Sequence, residues 1–148
     1  MSHGTPKPVL NELAAQPLLA ACRRSELKAV ANLGTRVPMG ASTRVMEQGA
    51  LASEFCVLVS GHAHCLVDDR PVAILGEGDF FGEMALLDGG RRHATIVTEG
   101  PAELLVLDRR EFRHLLTAAP AAAARIVSAC AARERANRTS RPDAWSAV

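Results

Sequence analysis

Between Thr35 and Asp108 the chain carries six short β-type runs: Thr43–Glu47, Glu54–Ser60, His62–Asp68, Val72–Leu75, Ala94–Thr98 and Ala102–Leu107. Turn residues close each of them, at Gly49, Ser60-Gly61, Asp68-Asp69, Gly76-Glu77-Gly78, Gly89-Gly90 and Gly100-Pro101. Runs this short cannot bury an apolar face singly, so this spacing predicts a β-sandwich or barrel. Helical patterns flank it. Leu10, Leu13, Leu18, Leu19, Leu27, Val30 and Leu33 have helical spacing, split at Pro17. Ser25 is expected to cap the second piece and Gly34 to end it. Asp108 with Glu111 reads as a capping box opening a helix that carries Phe112, Leu115 and Leu116. Pro120 suits the first turn of a last helix, Ala121 to about Arg138. Residues 1–9 read as a flexible lead-in, 10–138 as one domain and 139–148 as a frayed tail.

Composition narrows the class. The 148 residues are 48% hydrophobic and 22% charged, enough for one domain with a real core. Aromatics are 3%, so that core must be mainly aliphatic. No apolar run approaches the ~18 residues of a membrane span. The start, MSHGTPKPVLNEL, lacks the apolar centre of a secretory leader, so a cytoplasmic protein is expected. Cys22, Cys56, Cys65 and Cys130 form no CxxC and read as reduced packing residues. Residues 1–108 hold nine Lys/Arg against 13 Asp/Glu, and residues 109–148 hold eight Arg against three acids. This basic end reads as a solvated Arg-rich helix rather than as a tail for an anionic partner.

One stretch carries chemistry. Phe80 to Thr95 reads FFGEMALLDGGRRHAT, in which Glu83 and Arg92 are set among Gly, Ala and Leu. Gly82 permits close approach of a ligand to the backbone. Glu83 to Leu87 favours one helical turn, whose first amides suit an anion. Arg92 can return across Gly89-Gly90 and clamp that anion through its planar fork, while Glu83 offers acceptors to hydroxyl protons. The plainer reading is a Glu83–Arg92 salt bridge holding a loop. The glycines and apolar flanks favour a pocket for a small molecule with a phosphate and a neighbouring hydroxyl.

FGEMALLDGGRRHAT resembles the phosphate-binding cassette of the cyclic-nucleotide-binding domain family, F-G-E-x-A-L-x5-R-x-A-T/S. Phe81, Gly82, Glu83, Ala85, Leu86, Arg92, Ala94 and Thr95 meet its fixed positions. Glu54–Gly61 and Leu75–Asp79 extend the likeness, which covers roughly residues 10–138. The resemblance implies an eight-stranded β jelly-roll barrel with helices at both ends. It implies binding of cAMP, or less readily cGMP, without catalysis and without a further cofactor. Glu83 would accept from the ribose 2′-hydroxyl and Arg92 would pair with the cyclic phosphate. Amides of Gly82, Ala85 and the His93-Ala94 region would complete the cradle, with Met84 and Val67 in the ligand set. His93 departs from relatives whose Thr or Ser there helps choose the nucleotide, and Gly49-Ala50 stands where many carry an acidic turn residue. An effector domain, a protein partner or a second copy would receive the signal.

Other features were weighed against this. His62 and His64 form an H-x-H pair with Asp68 nearby, the pattern of a cupin-like metalloprotein, although exposed strand residues account for it more simply. A degenerate jelly-roll interaction module is the other alternative, and intact Glu83 and Arg92 argue against it. The ten residues after Arg138 are too few for a DNA-binding helix-turn-helix, so none is expected here. Ile126, Cys130 and Arg133 share one face of the last helix. Arg133 is expected either to stack on the purine as a lid or to snorkel into water. Trp145 is a second lid candidate.

Overall fold

The computed structural model describes residues 17–139. The lead-in 1–9, Leu10, Leu13 and the tail from 140, Trp145 included, lie outside the described residues. A 3-10 turn, Pro17–Leu19, precedes helix α1 (Arg24–Val30). Eight strands follow: β1 (Thr35–Met39), β2 (Arg44–Met46), β3 (Glu54–Ser60), β4 (Ala63–Val67), β5 (Arg70–Leu75), β6 (Phe80–Phe81), β7 (Thr95–Thr98) and β8 (Ala102–Asp108). Helix α2 (Glu83–Asp88) interrupts them, and α3 (Arg109–Ala118) and α4 (Pro120–Thr139) close the domain.

The strands form two antiparallel four-stranded sheets, ordered β1-β8-β3-β6 and β2-β7-β4-β5. This is the expected jelly roll with helices at both ends. The β3 sequence EFCVLVS is a nearly continuous apolar run because both of its faces are covered. Phe55 and Val57 join a cluster with Leu27, Phe112, Leu115 and Ile126 from the helices. Cys56 and Leu58 join Cys65, Leu75, Ile96 and Leu104 in the other core cluster. Phe55 lies 5.7 Å from Phe80 and 4.8 Å from Phe112 between ring centroids, so the few aromatics concentrate where helices meet the sheet. The β4–β5 turn places Asp68 and Asp69 at φ 52° and 62°, the left-handed pair that a two-residue hairpin demands.

Several expectations change. Ser25 is not the cap of α1; Arg23 occupies that position, and no side chain bonds there. Gly34 lies beyond α1, whose C-cap is Ala31, and turns the chain into β1 at φ 82°. Two strands, β1 and β6, were not among the six runs. β1 contains Pro38, which is tolerated because β1 is an edge strand bonded to β8 alone. β6 has only two residues, too few for any periodicity. α4 reaches Thr139, one residue past the expected domain end.

The capping box forms as read. Asp108 Oδ1 accepts from the Glu111 amide at 2.7 Å, and Glu111 Oε1 accepts from the Asp108 amide at 3.0 Å. Glu111 Oε2 also accepts from the Gly34 amide at 2.8 Å, tying the start of β1 to α3 across 77 residues. Asp108→Ala should cost about 1 kcal/mol and Glu111→Ala about 2 kcal/mol, since the second loses two amide partners. Equilibrium urea denaturation checks the order; an equal or reversed cost would show that the Gly34 bond contributes nothing.

Candidate functional site

α2 begins where glycine must stand. Gly82 is its N-cap at φ 94°, and no side chain caps the first turn. A Cβ there would lie 2.6 Å from Met46 Cε, 2.9 Å from the Glu54 carbonyl oxygen and 3.0 Å from Arg92 Nη1. The left-handed conformation and the crowding both exclude a side chain. Gly89 ends the helix at φ 73°, and the chain turns back to β7.

Glu83 and Arg92 are both buried, but they do not pair with each other. The plain salt bridge between them is overturned. Glu83 Oε1 instead accepts from Arg133 Nη1 at 2.7 Å, both residues being 0% exposed. Arg133 Nη2 also donates to the Phe80 carbonyl at 2.9 Å, and its guanidinium lies 5.1 Å from the Phe80 ring centroid. Glu83 Oε2 is buried with no hydrogen-bond partner among the described residues. Arg133 therefore does not snorkel into water. Its fork is turned inward onto the cassette acid.

Arg92 is set differently. Nη1 donates to the Gly82 carbonyl at 3.1 Å and Nη2 to the Glu54 carbonyl at 2.8 Å. Among the described residues no carboxylate lies within salt-bridge distance of it. Burial lowers its pKa from the ordinary arginine range, the direction for a cation with too little compensation. Its backbone is held by Gly49-Ala50: the Arg92 amide donates to Ala50 at 2.7 Å, and the Gly49 amide donates to the Arg92 carbonyl at 2.9 Å. Sequence reasoning treated Gly49-Ala50 as a loop variation and missed the carbonyls of Glu54 and Phe80 altogether. Backbone acceptors leave no signature in residue type.

Gly82, Glu83, Met84, Ala85, Arg92, His93 and Ala94 line one cavity, with Met46, Phe81 and Ile96. Its volume is about 20 Å³, room for about one water molecule. Two expected ligand residues lie elsewhere. Val67 packs on the barrel core and Arg133 sits behind Glu83, and neither lines the cavity. His93 Nε2 lies 2.8 Å from Asp88 Oδ2, so the imidazole is clipped to the end of α2. A larger cavity, about 190 Å³, lies between the first helices and the sheet and shares no residue with the cassette.

Burial pushes the Cys56, Cys65 and Cys130 thiols up to about 12, so they are protonated packing groups. The cupin-like arrangement is not assembled. Asp68 exchanges two hydrogen bonds with Gln48, and His64 faces Glu99 at 3.6 Å. Among the described residues no three His, Cys, Asp or Glu side chains are placed to hold a metal ion. Among them, too, no single helix is long and apolar enough to cross a membrane.

Comparison with known proteins matches residues 36–119 to the family described as the cyclic nucleotide-binding domain. The cAMP-dependent protein kinase regulatory subunit of Aspergillus fumigatus is 34% identical over 102 residues, covering 68% of this chain and 25% of that protein. The cyclic AMP receptor protein of Thermus thermophilus is 34% identical over 96 residues, covering 62% of this chain and 44% of that protein. The chain thus spans less than half the length of either. Among solved structures, cAMP-bound PfPKA-R superposes with a TM-score of 0.78 at 23% identity, covering 89% of this chain and 46% of that one. At that identity the likeness concerns the fold alone.

Proposed function

This chain belongs to the cyclic nucleotide-binding domain family, and from that premise we propose that it is a non-catalytic sensor that binds cAMP in preference to cGMP. The observation that carries the reading is Arg92. A guanidinium only 8% exposed and held by two carbonyls, with no carboxylate beside it among the described residues, is a positive charge placed for an anion. The cyclic phosphate would supply that anion. Glu83, in the same cavity wall, would take the ribose 2′-hydroxyl, and the Gly82, Ala85 and His93-Ala94 backbone would complete the cradle.

A nucleotide is far larger than the cavity, so binding entails expansion. Met46 and Met84 line the cavity and are the side chains best suited to yield, being unbranched and polarizable. The names of the two relatives favour cAMP. His93, engaged with Asp88, lacks the hydroxyl that would accept from a guanine amino group. A cytoplasmic setting and an effector domain or partner protein downstream complete the proposal, since both relatives extend well beyond the matched region.

Two outcomes are expected in isothermal titration. Arg92→Ala should weaken cAMP binding roughly tenfold to a few hundredfold, the worth of a charge-assisted contact of about 1.5–3 kcal/mol. Wild-type affinity in that variant would remove the phosphate assignment. cAMP should bind at least as tightly as cGMP, and His93→Thr should raise cGMP affinity relative to cAMP. A clear cGMP preference in the wild type would overturn the nucleotide assignment.

A further inference from the structure

Away from the cassette, the cavity of about 190 Å³ lies between the Pro17–Leu19 turn, α1 and the sheet. Close-packed interiors hold few voids larger than a water molecule, so a space this large persists only where its walls are kept apart. Here each wall is pinned. Pro17 lies against Gly78, where a Cβ would stand 2.6 Å from Pro17 Cδ. Gly34 lies against Leu105 and Leu107, where a Cβ would stand 2.9 Å from either Cδ1. The Gly34 amide is held by Glu111 Oε2 at 2.8 Å. Leu27 of α1 shares a buried cluster with Phe112 and Leu115 of α3. The turn, α1 and β1 could close over the space only by breaking these contacts.

The lining decides what such a space accepts. Leu18, Val30, Phe55, Val57, Leu107 and Leu115 form a buried apolar floor. The mouth lies at the connection from α1 to β1, where Ala31, Leu33 and Arg36 are half-buried and Thr35 is exposed. Arg36 is the one charged residue among the described lining residues, and Glu103 answers it. Arg36 Nε donates to Glu103 Oε1 at 3.0 Å, and Nη2 reaches the same oxygen. A carboxylate or ammonium group entering the cavity would therefore lose its hydration without gaining a partner. Size sets the other limit, since an apolar cavity of about 150 Å³ stays dry and takes benzene. We propose that this cavity is a second ligand site, for a neutral, largely apolar molecule the size of a substituted benzene ring. A hydroxyl on that ring would find its partner at Thr35, in the mouth. The site shares no residue with the cassette, so the proposal stands apart from the nucleotide reading.

Toluene and benzoate, alike in ring and unlike in charge, test both halves of this assignment. The full chain is titrated with each, and binding is followed by the methyl NMR signals of its Leu and Val side chains. Toluene should shift the methyls of Leu18, Val30, Val57, Leu107 and Leu115 saturably within its aqueous solubility. Benzoate should bind at least about tenfold more weakly, because its charge finds no free partner. Ala31→Phe places a ring in the mouth and should weaken toluene at least about tenfold. Ala31→Leu fills less of the space and should give an intermediate loss, and it decides the matter if Ala31→Phe fails to fold. No saturable shift in the wild type, as would follow if residues 1–16 of the chain took the space, would overturn the proposal. Shifts confined to methyls outside the cavity, or unchanged toluene affinity in a folded Ala31 variant, would place the binding elsewhere and overturn it too. Benzoate binding as tightly as toluene would overturn the neutral class of ligand. The affinity for cAMP enters none of these outcomes, so failure here leaves the nucleotide reading as it stands.

Discussion

The fully buried ion pair between Glu83 and Arg133 joins a six-residue helix in the cassette to the last helix of the chain. Two charges removed from water lose their hydration, and only close, well-directed contact offsets that loss. Here the contact is 2.7 Å, supplemented by the Phe80 carbonyl and the face of the Phe80 ring. Phe80 in turn packs on Phe55, which packs on Phe112 of α3. The polar bond that seats α4 is therefore continuous with the aromatic cluster that seats α3. Ile126 and Cys130, two turns and one turn before Arg133, bury the same face of α4.

Against that pair, Arg92 is the complementary case. Its hydrogen-bond partners among the described residues are two backbone carbonyls rather than a carboxylate, so it is tethered without a direct ion pair. The cassette thus separates its two ionised groups by environment. The acid is neutralised from behind by α4, and the base is left facing the cavity with two carbonyl tethers. A direct Glu83–Arg92 bridge would have satisfied both groups with each other. Gly82 makes the separation possible, because its carbonyl takes one prong of Arg92 and its missing side chain leaves room for the guanidinium.

The local features were legible in the residues themselves. The Asp108–Glu111 capping box, the Asp68-Asp69 turn and the short helix after Gly82 each depend on contacts spanning a few residues. Turn chemistry and helix caps are set by backbone angles and reach of short side chains, so residue type and spacing specify them. The Glu83 and Arg92 motif belongs here too, since the two lie nine positions apart on one continuous segment, α2 and the turn after it.

What the chain order could not specify was which distant group each of these residues would meet. The partner of Glu83 comes from 50 residues downstream, and the carbonyl that holds Arg92 comes from 38 residues upstream. β1 exists despite Pro38 because a neighbouring strand asks for hydrogen bonds on one side only, a property of sheet order rather than of sequence. Arg133 illustrates the division most clearly. Its place on the buried face of α4, with Ile126 and Cys130, follows from helical spacing. Whether its charge meets water, a purine or a carboxylate depends on what the barrel brings beneath that helix. Closure of the two sheets put Glu83 there, and a buried charge takes the nearest opposite one.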